Sequence, residues 1–142
     1  MWTVQQILHA KPGPLQSISP DATVFDALTV MAEHDIGALA VVEGGELVGM
    51  FSERDYARKV ILHGKSSKEI TVADIMSTPV LSVRPEDTVH DCMALMTGNH
   101  VRHLPVMGRA GPIGMVSIGD VVKALLNEQA FTIEQLEHYI RG

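Results

Sequence analysis

Two stretches of the chain carry apolar residues at i, i+3, i+4 and i+7: Val24, Ala27, Leu28 and Met31, then Val89, Cys92, Met93 and Met96. That spacing places one apolar stripe on a helix. Thr23 and Thr88 stand just before the stripes, where a hydroxyl caps the first N–H groups. Each helix is followed by a short apolar run, Leu39–Val42 or Leu104–Met107, with proline at position 105 of the second. A glycine-containing turn follows (Glu43-Gly-Gly-Glu46, or Gly108 to Pro112), and then a second run, Leu47–Phe51 or Ile113–Val116. Such pairs predict hairpins. Ser52 and Ser117 then open predicted helices over Glu53–Leu62 and Ile118–Leu126. Short strands are expected around Leu15–Ile18 and Val80–Val83. Phe131, Leu136, Tyr139 and Ile140, with Glu134, Glu137 and Arg141 between them, predict a final amphipathic helix.

The two halves are one pattern written twice. Residues 20–57 align without a gap on 85–122, at an offset of 65, with eleven identities. These are Pro20/Pro85, Thr23/Thr88, Val24/Val89, Asp26/Asp91, Met31/Met96, Leu39/Leu104, Val41/Val106, Gly49/Gly114, Met50/Met115, Ser52/Ser117 and Asp55/Asp120. Upstream, Val4-x-x-Ile7-Leu8 matches Val72-x-x-Ile75-Met76. The predicted fold is α+β: two βαββα repeats, 1–64 and 65–128, packed with approximate two-fold symmetry, and a C-terminal amphipathic helix over 129–142. The polar run Gly64–Ser67 joins the repeats. A single copy leaves one sheet face uncovered, so the copies are expected to pack together and form two clefts.

Composition narrows the function. Of the 142 residues, 46% are hydrophobic and only 4% aromatic, so aliphatic side chains and eight Met must fill the interior. A net charge of −6 argues against nucleic acid or an anionic membrane surface as partner. Cys92 is the only cysteine, which excludes an internal disulfide. No His-x-x-x-His or Cys-x-x-Cys spacing points to a metal. The first residues lack a basic stretch followed by an apolar run, and no segment approaches the length of a bilayer span, so a cytoplasmic location is expected.

Three motifs resemble those of a tandem CBS-domain pair, the Bateman module. Gly49-Met-Phe-Ser52-Glu-Arg-Asp55 and Gly114-Met-Val-Ser117-Ile-Gly-Asp120 are similar to the family's Gly-h-x-Ser/Thr-x-x-Asp signature, where h is apolar. Val101-Arg-His-Leu-Pro-Val106 resembles its second-strand motif, and Asp74-Ile-Met76 with Thr78-Pro79-Val80 its lead-in to the second repeat. The resemblance implies a regulatory module that binds adenosine-containing ligands in the clefts: AMP foremost, with ATP or NAD(H) as the other candidates. No metal is required and no enzymatic activity is implied. A homodimer and an unidentified effector protein are the expected partners.

Under that resemblance, Asp55 and Asp120 suit the two ribose hydroxyls, since a carboxylate accepts two hydrogen bonds at once. Ser52 and Ser117 sit at strand-to-helix junctions, where free N–H groups favour a phosphate. Gly49 and Gly114 are expected to let a ligand approach the backbone. Ile18, Met50, Val80 and Met115 offer apolar walls for adenine. Backbone around Thr78, Pro79 and Val80, and around Gln16, Ser17 and Ile18 in the other copy, would read its edge. Gly37 and Ala38 in the first repeat correspond to Arg102 and His103 in the second, while Arg54 corresponds to Gly119. With Lys59, these differences predict two unlike phosphate clamps.

Plainer readings compete. Ser-x-x-Asp is also a capping box, and the two roles are compatible. An interaction scaffold with no physiological ligand is the alternative function. A hydrolase lacks support, because no nucleophile lies beside a base.

Overall fold

Capping decides where the helices begin. In this computed structural model, which describes residues 1–11 and 13–141, α2 (Val24–His34) and α5 (Val89–Asn99) both start at the expected threonine. The Thr23 hydroxyl accepts the Asp26 N–H while the Asp26 carboxylate accepts the Thr23 N–H, and Thr88 with Asp91 repeats the exchange. Both helices stop at a residue with left-handed backbone, Asp35 (φ 51°) and His100 (φ 54°).

In the first repeat, β2 (Ala38–Glu43) and β3 (Glu46–Ser52) are antiparallel, and Glu43 pairs with Glu46 across the turn. Gly44 and Gly45 take φ of 59° and 82°, the left-handed pair that a two-residue hairpin requires. A two-residue strand β1 (Ser17–Ile18) runs parallel to β2, giving the order β1-β2-β3. In the second repeat, β4 (His103–Gly108) and β5 (Gly111–Ser117) form a two-stranded sheet.

The strand expected over Val80–Val83 shrinks to one parallel bridge between Val83 and Val106. Val83 N–H donates to the Pro105 carbonyl, and its own carbonyl accepts from Met107 N–H. The next rung toward Leu81 needs an N–H from residue 105, which proline lacks. Ala40 stands at that place in the first repeat, and there Ser17 pairs with it.

Two helices differ from expectation. The segment predicted as Glu53–Leu62 divides into α3 (Glu53–Tyr56) and a π-helical turn, Ala57–Ile61. The predicted Ile118–Leu126 helix and the terminal helix are one, α6 (Ile118–Arg141), of 24 residues. Asn127-Glu-Gln-Ala130 contains neither glycine nor proline, so nothing interrupts it.

Short lead-in helices complete the chain, α1 (Val4–Ala10) and α4 (Val72–Ile75). They trade places. One compact unit comprises residues 1–13, 82–108 and 114–142, and the other comprises 14–81 and 109–113. Val4 and Ile7 of α1 are therefore buried with Val89, Cys92, Met96, Leu104, Val106, Val116 and Val121 of the second repeat. Val72 and Ile75 of α4 are buried with Val24, Ala27, Met31, Leu39, Val41, Phe51 and Val60 of the first. The same backbone exchange seats both. Val4 N–H donates to Asp87 and Val89 N–H to Trp2, while Val72 N–H donates to Ala22 and Val24 N–H to Ile70. The compact units thus differ from the sequence repeats 1–64 and 65–128 by an exchange of the segments that carry these helices, and by residues 109–113, which group with the first repeat. No helix among the described residues is long and apolar enough to cross a membrane.

Candidate functional site

Each repeat ends its hairpin at a serine whose carbonyl side continues into a helix. In both units the first helical N–H is already used: Glu53 donates to the Gly37 carbonyl at 3.1 Å and Ile118 to the Arg102 carbonyl at 2.8 Å. The third is used as well, since Asp55 N–H donates to Ser52 Oγ and Asp120 N–H to Ser117 Oγ. The aspartates return the favour by accepting the serine N–H groups at 3.0 and 2.9 Å. Both Ser-x-x-Asp motifs are therefore capping boxes. The row of free N–H groups expected for a phosphate is thus partly taken up by the chain itself at both junctions.

The two carboxylates then diverge. Asp55 is buried, 7% exposed, and saturated by its own chain. Its Oδ1 accepts from Ser77 Oγ at 2.7 Å and lies 3.1 Å from Lys59 Nζ. Its Oδ2 accepts from both the N–H and the hydroxyl of Ser52. Lys59 also donates to the Ile75 carbonyl, which ties the π-helical turn to α4. Asp120 is half-buried. Its Oδ2 takes Lys11 Nζ at 2.7 Å together with Ser117 N–H, and no donor of the described residues reaches Oδ1. Burial alone would raise the Asp120 carboxyl, but the Lys11 ammonium and the Ser117 donors outweigh it and hold the carboxyl below its usual range. Lys11 also donates to the Met115 carbonyl. Burial, with Lys11 beside it, lowers the half-buried His103 imidazole, and Asp120 opposes that only in part. The second junction therefore keeps an acceptor without a donor of the described residues. At the first, Ser77, Lys59 and Ser52 occupy both carboxylate oxygens.

The predicted site residues divide between the units. Gln16, Ser17, Ile18, Gly37, Ala38, Met50, Ser52, Arg54, Asp55, Lys59, Thr78, Pro79 and Val80 belong to one, and Arg102, His103, Met115, Ser117 and Asp120 to the other. In the first set, Met50 and Ser77 exchange backbone hydrogen bonds, which brings Thr78 and Pro79 next to the end of β3. Ala38 pairs with Ser52 across the hairpin, but its methyl is buried in the interior, so it offers only backbone. Ile18, Met50, Val80 and Met115 are half-buried, with apolar surface to spare; Arg54 and Arg102 are exposed.

Two expectations are corrected. Gly49 and Gly114 do not leave room for a ligand. A Cβ on Gly49 would lie 2.5 Å from Met76 Sδ, and one on Gly114 2.7 Å from Leu8 Cδ2. The glycines admit the lead-in helices instead. Gln16–Ile18 is not the counterpart of Thr78–Val80 either. Ile18 pairs with Val41 as Val83 pairs with Val106, so the offset of 65 holds there and Val80 corresponds to Leu15. Sequence reasoning missed Lys11 and Ser77. Both follow the matched Val-x-x-Ile segments by a few residues, a register that points to them once α1 and α4 are paired with the opposite repeats.

The repeated βαββα frame with a capped Ser-x-x-Asp at each hairpin end defines a class, and the family model for the CBS domain matches residues 4–62 and 72–127. The chain belongs to the CBS-domain family, whose paired domains are regulatory modules. It is 48% identical over 149 aligned positions to the mitochondrial CBS domain-containing protein CBSX3 of Arabidopsis thaliana, covering 99% of this chain and 72% of that protein. It is 34% identical to the CBS domain-containing protein YhcV of Bacillus subtilis, covering 80% and 81%. Among solved structures, it superposes with a TM-score of 0.85 on a candidate signal-transduction protein with CBS domains from Burkholderia ambifaria. That pair shares 46% identity and covers 89% of this chain and 96% of the other.

Proposed function

We propose that the chain is a non-catalytic sensor of adenine nucleotides, AMP ahead of ATP or NAD(H), which reports to an effector protein as a homodimer. The observation that carries this reading is the open Oδ1 of Asp120, whose other oxygen holds a lysine that also reaches the carbonyl of a half-buried methionine. Asp120 takes the ribose, Met115 packs on the purine, and Ser117, Lys11, Arg102 and His103 stand around the phosphate. Gln16, Ser17, Ile18, Gly37, Ala38, Met50, Ser52, Arg54, Asp55, Lys59, Thr78, Pro79 and Val80 form the second, unlike site. It needs rearrangement before it can bind, because Asp55 is engaged by Ser52, Ser77 and Lys59. That saturated carboxylate favours the scaffold reading for the first junction alone. The cytoplasm stays the compartment of this proposal.

Isothermal titration of the full chain with AMP, ATP and NADH tests it. One nucleotide per chain, lost at least tenfold in affinity on Asp120→Asn and little changed on Asp55→Asn, is the expected result. No heat and no rise in melting temperature with any of the three would leave a scaffold.

A further inference from the structure

The second half of α6 is helix without a core: from Gln129 to Arg141 every residue is exposed. Its apolar residues are not scattered. Val122, Leu126, Gln129, Ile133, Leu136 and Ile140 follow one another at alternate spacings of four and three, the repeat of a helix that pairs with another helix. The five apolar members are all exposed, Leu136 at 57% and Ile140 at 80%. The stripe that α6 uses for its own core, Val121 and Ala124, lies roughly 100–160° around the helix from it. Phe131 points to the side of the helix opposite the seam and has no part in it.

We propose that this seam pairs two copies of the chain through antiparallel α6 helices. The orientation follows from charge. Lys123 and Glu137 both lie on the flank that follows the Val122, Gln129 and Leu136 positions, so in an antiparallel pair each faces the other across the two-fold axis. Lys123 then meets the partner's Glu137, twice per dimer. In a parallel pair the same flanks would set Glu137 against the partner's Thr132 and Lys123 against the partner's Ile118, with no attraction. The antiparallel register stacks Val122 on the partner's Ile140 and Leu126 on the partner's Leu136. Gln129 beside the partner's Ile133 is the weak layer, since its amide has no partner in the seam. The inference rests on the homodimer of the proposed function and not on the nucleotide.

Sedimentation equilibrium of the full chain without ligand tests it. The wild type should be a dimer, and Leu136→Glu, a change at an exposed position, should raise the dissociation constant at least tenfold with helical content unchanged. Phe131→Glu should leave it dimeric. Lys123→Glu or Glu137→Lys alone should weaken the dimer about three- to tenfold, and the double reversal should restore it to within about twofold. Gln129→Leu should tighten it. A dimer indifferent to Leu136→Glu overturns the seam while leaving the homodimer standing. A wild-type monomer overturns both, and neither result bears on nucleotide binding. A double reversal that fails to restore association overturns the antiparallel orientation.

Discussion

Lys11 Nζ lies 2.7 Å from Asp120 Oδ2, so a residue from the beginning of the chain completes the signature of the second repeat. The pair is part-exposed, which limits its worth to about 0.5–1 kcal/mol. The folded Asp120 carboxyl sits below its unfolded value of about 3.9, so its stabilisation is complete above that pH and is lost as the pH falls further. Lys11→Met should raise the Asp120 titration seen by carbon NMR and make urea stability less sensitive to pH below 4. An unchanged titration would show the contact to be absent in solution.

Asp55 should behave differently. Replacing it with asparagine leaves Lys59 without its counter-charge and turns an acceptor toward the Ser77 hydroxyl or the Ser52 N–H into a donor. A loss of about 2–3 kcal/mol is expected by chemical denaturation, against about 1 kcal/mol for Asp120→Asn. Equal losses would contradict the difference in burial.

Gly49→Ala and Gly114→Ala should each destabilise by about 1–3 kcal/mol, because the new methyl meets Met76 or Leu8. The clash is with one side chain in each case. Gly49→Ala in a Met76→Ala background should therefore cost less than in the wild type, and a double-mutant cycle measures the difference. Additive losses would place the obstruction elsewhere.

His103 titrates below its ordinary value because it is buried beside Lys11. The unfolded chain therefore takes up its proton first, near pH 6.5, so folding stability is full above that pH and declines as the pH falls below it. His103→Gln should flatten the stability profile between pH 6.5 and 5. A profile identical to the wild type would assign that slope to other histidines.

Burial pushes the Cys92 thiol up to about 11. Iodoacetamide at pH 8 should label it only as fast as the interior around α5 opens, and urea should accelerate the labelling. Rapid labelling of native protein would mean that α5 is not packed.

Much of this was legible in one dimension. The offset of 65 carries through caps, hairpins and the Val41/Val106 pairings, because local chemistry sets them: a threonine before an apolar stripe, two glycines between strands. What escaped was non-local. Val4 and Ile7 announce an apolar face but not which interior receives it, and only the backbone exchange of Trp2 and Val4 with Asp87 and Val89 settles that. The state of Asp55 was hidden for the same reason, since its partner Ser77 arrives with α4 from the segment before the second repeat. Pro105, read only as part of a motif, turned out to shorten a strand.

Because α1 is buried with the later repeat and α4 with the earlier one, a cut between the repeats would part each interior from the helix that completes it. A fragment ending at residue 64 would carry a helix with no home and an interior with a hole where Val72 and Ile75 belong. Duplication of a half-length ancestor would in that case have begun from two separate molecules lending each other this helix, a loan that fusion made permanent.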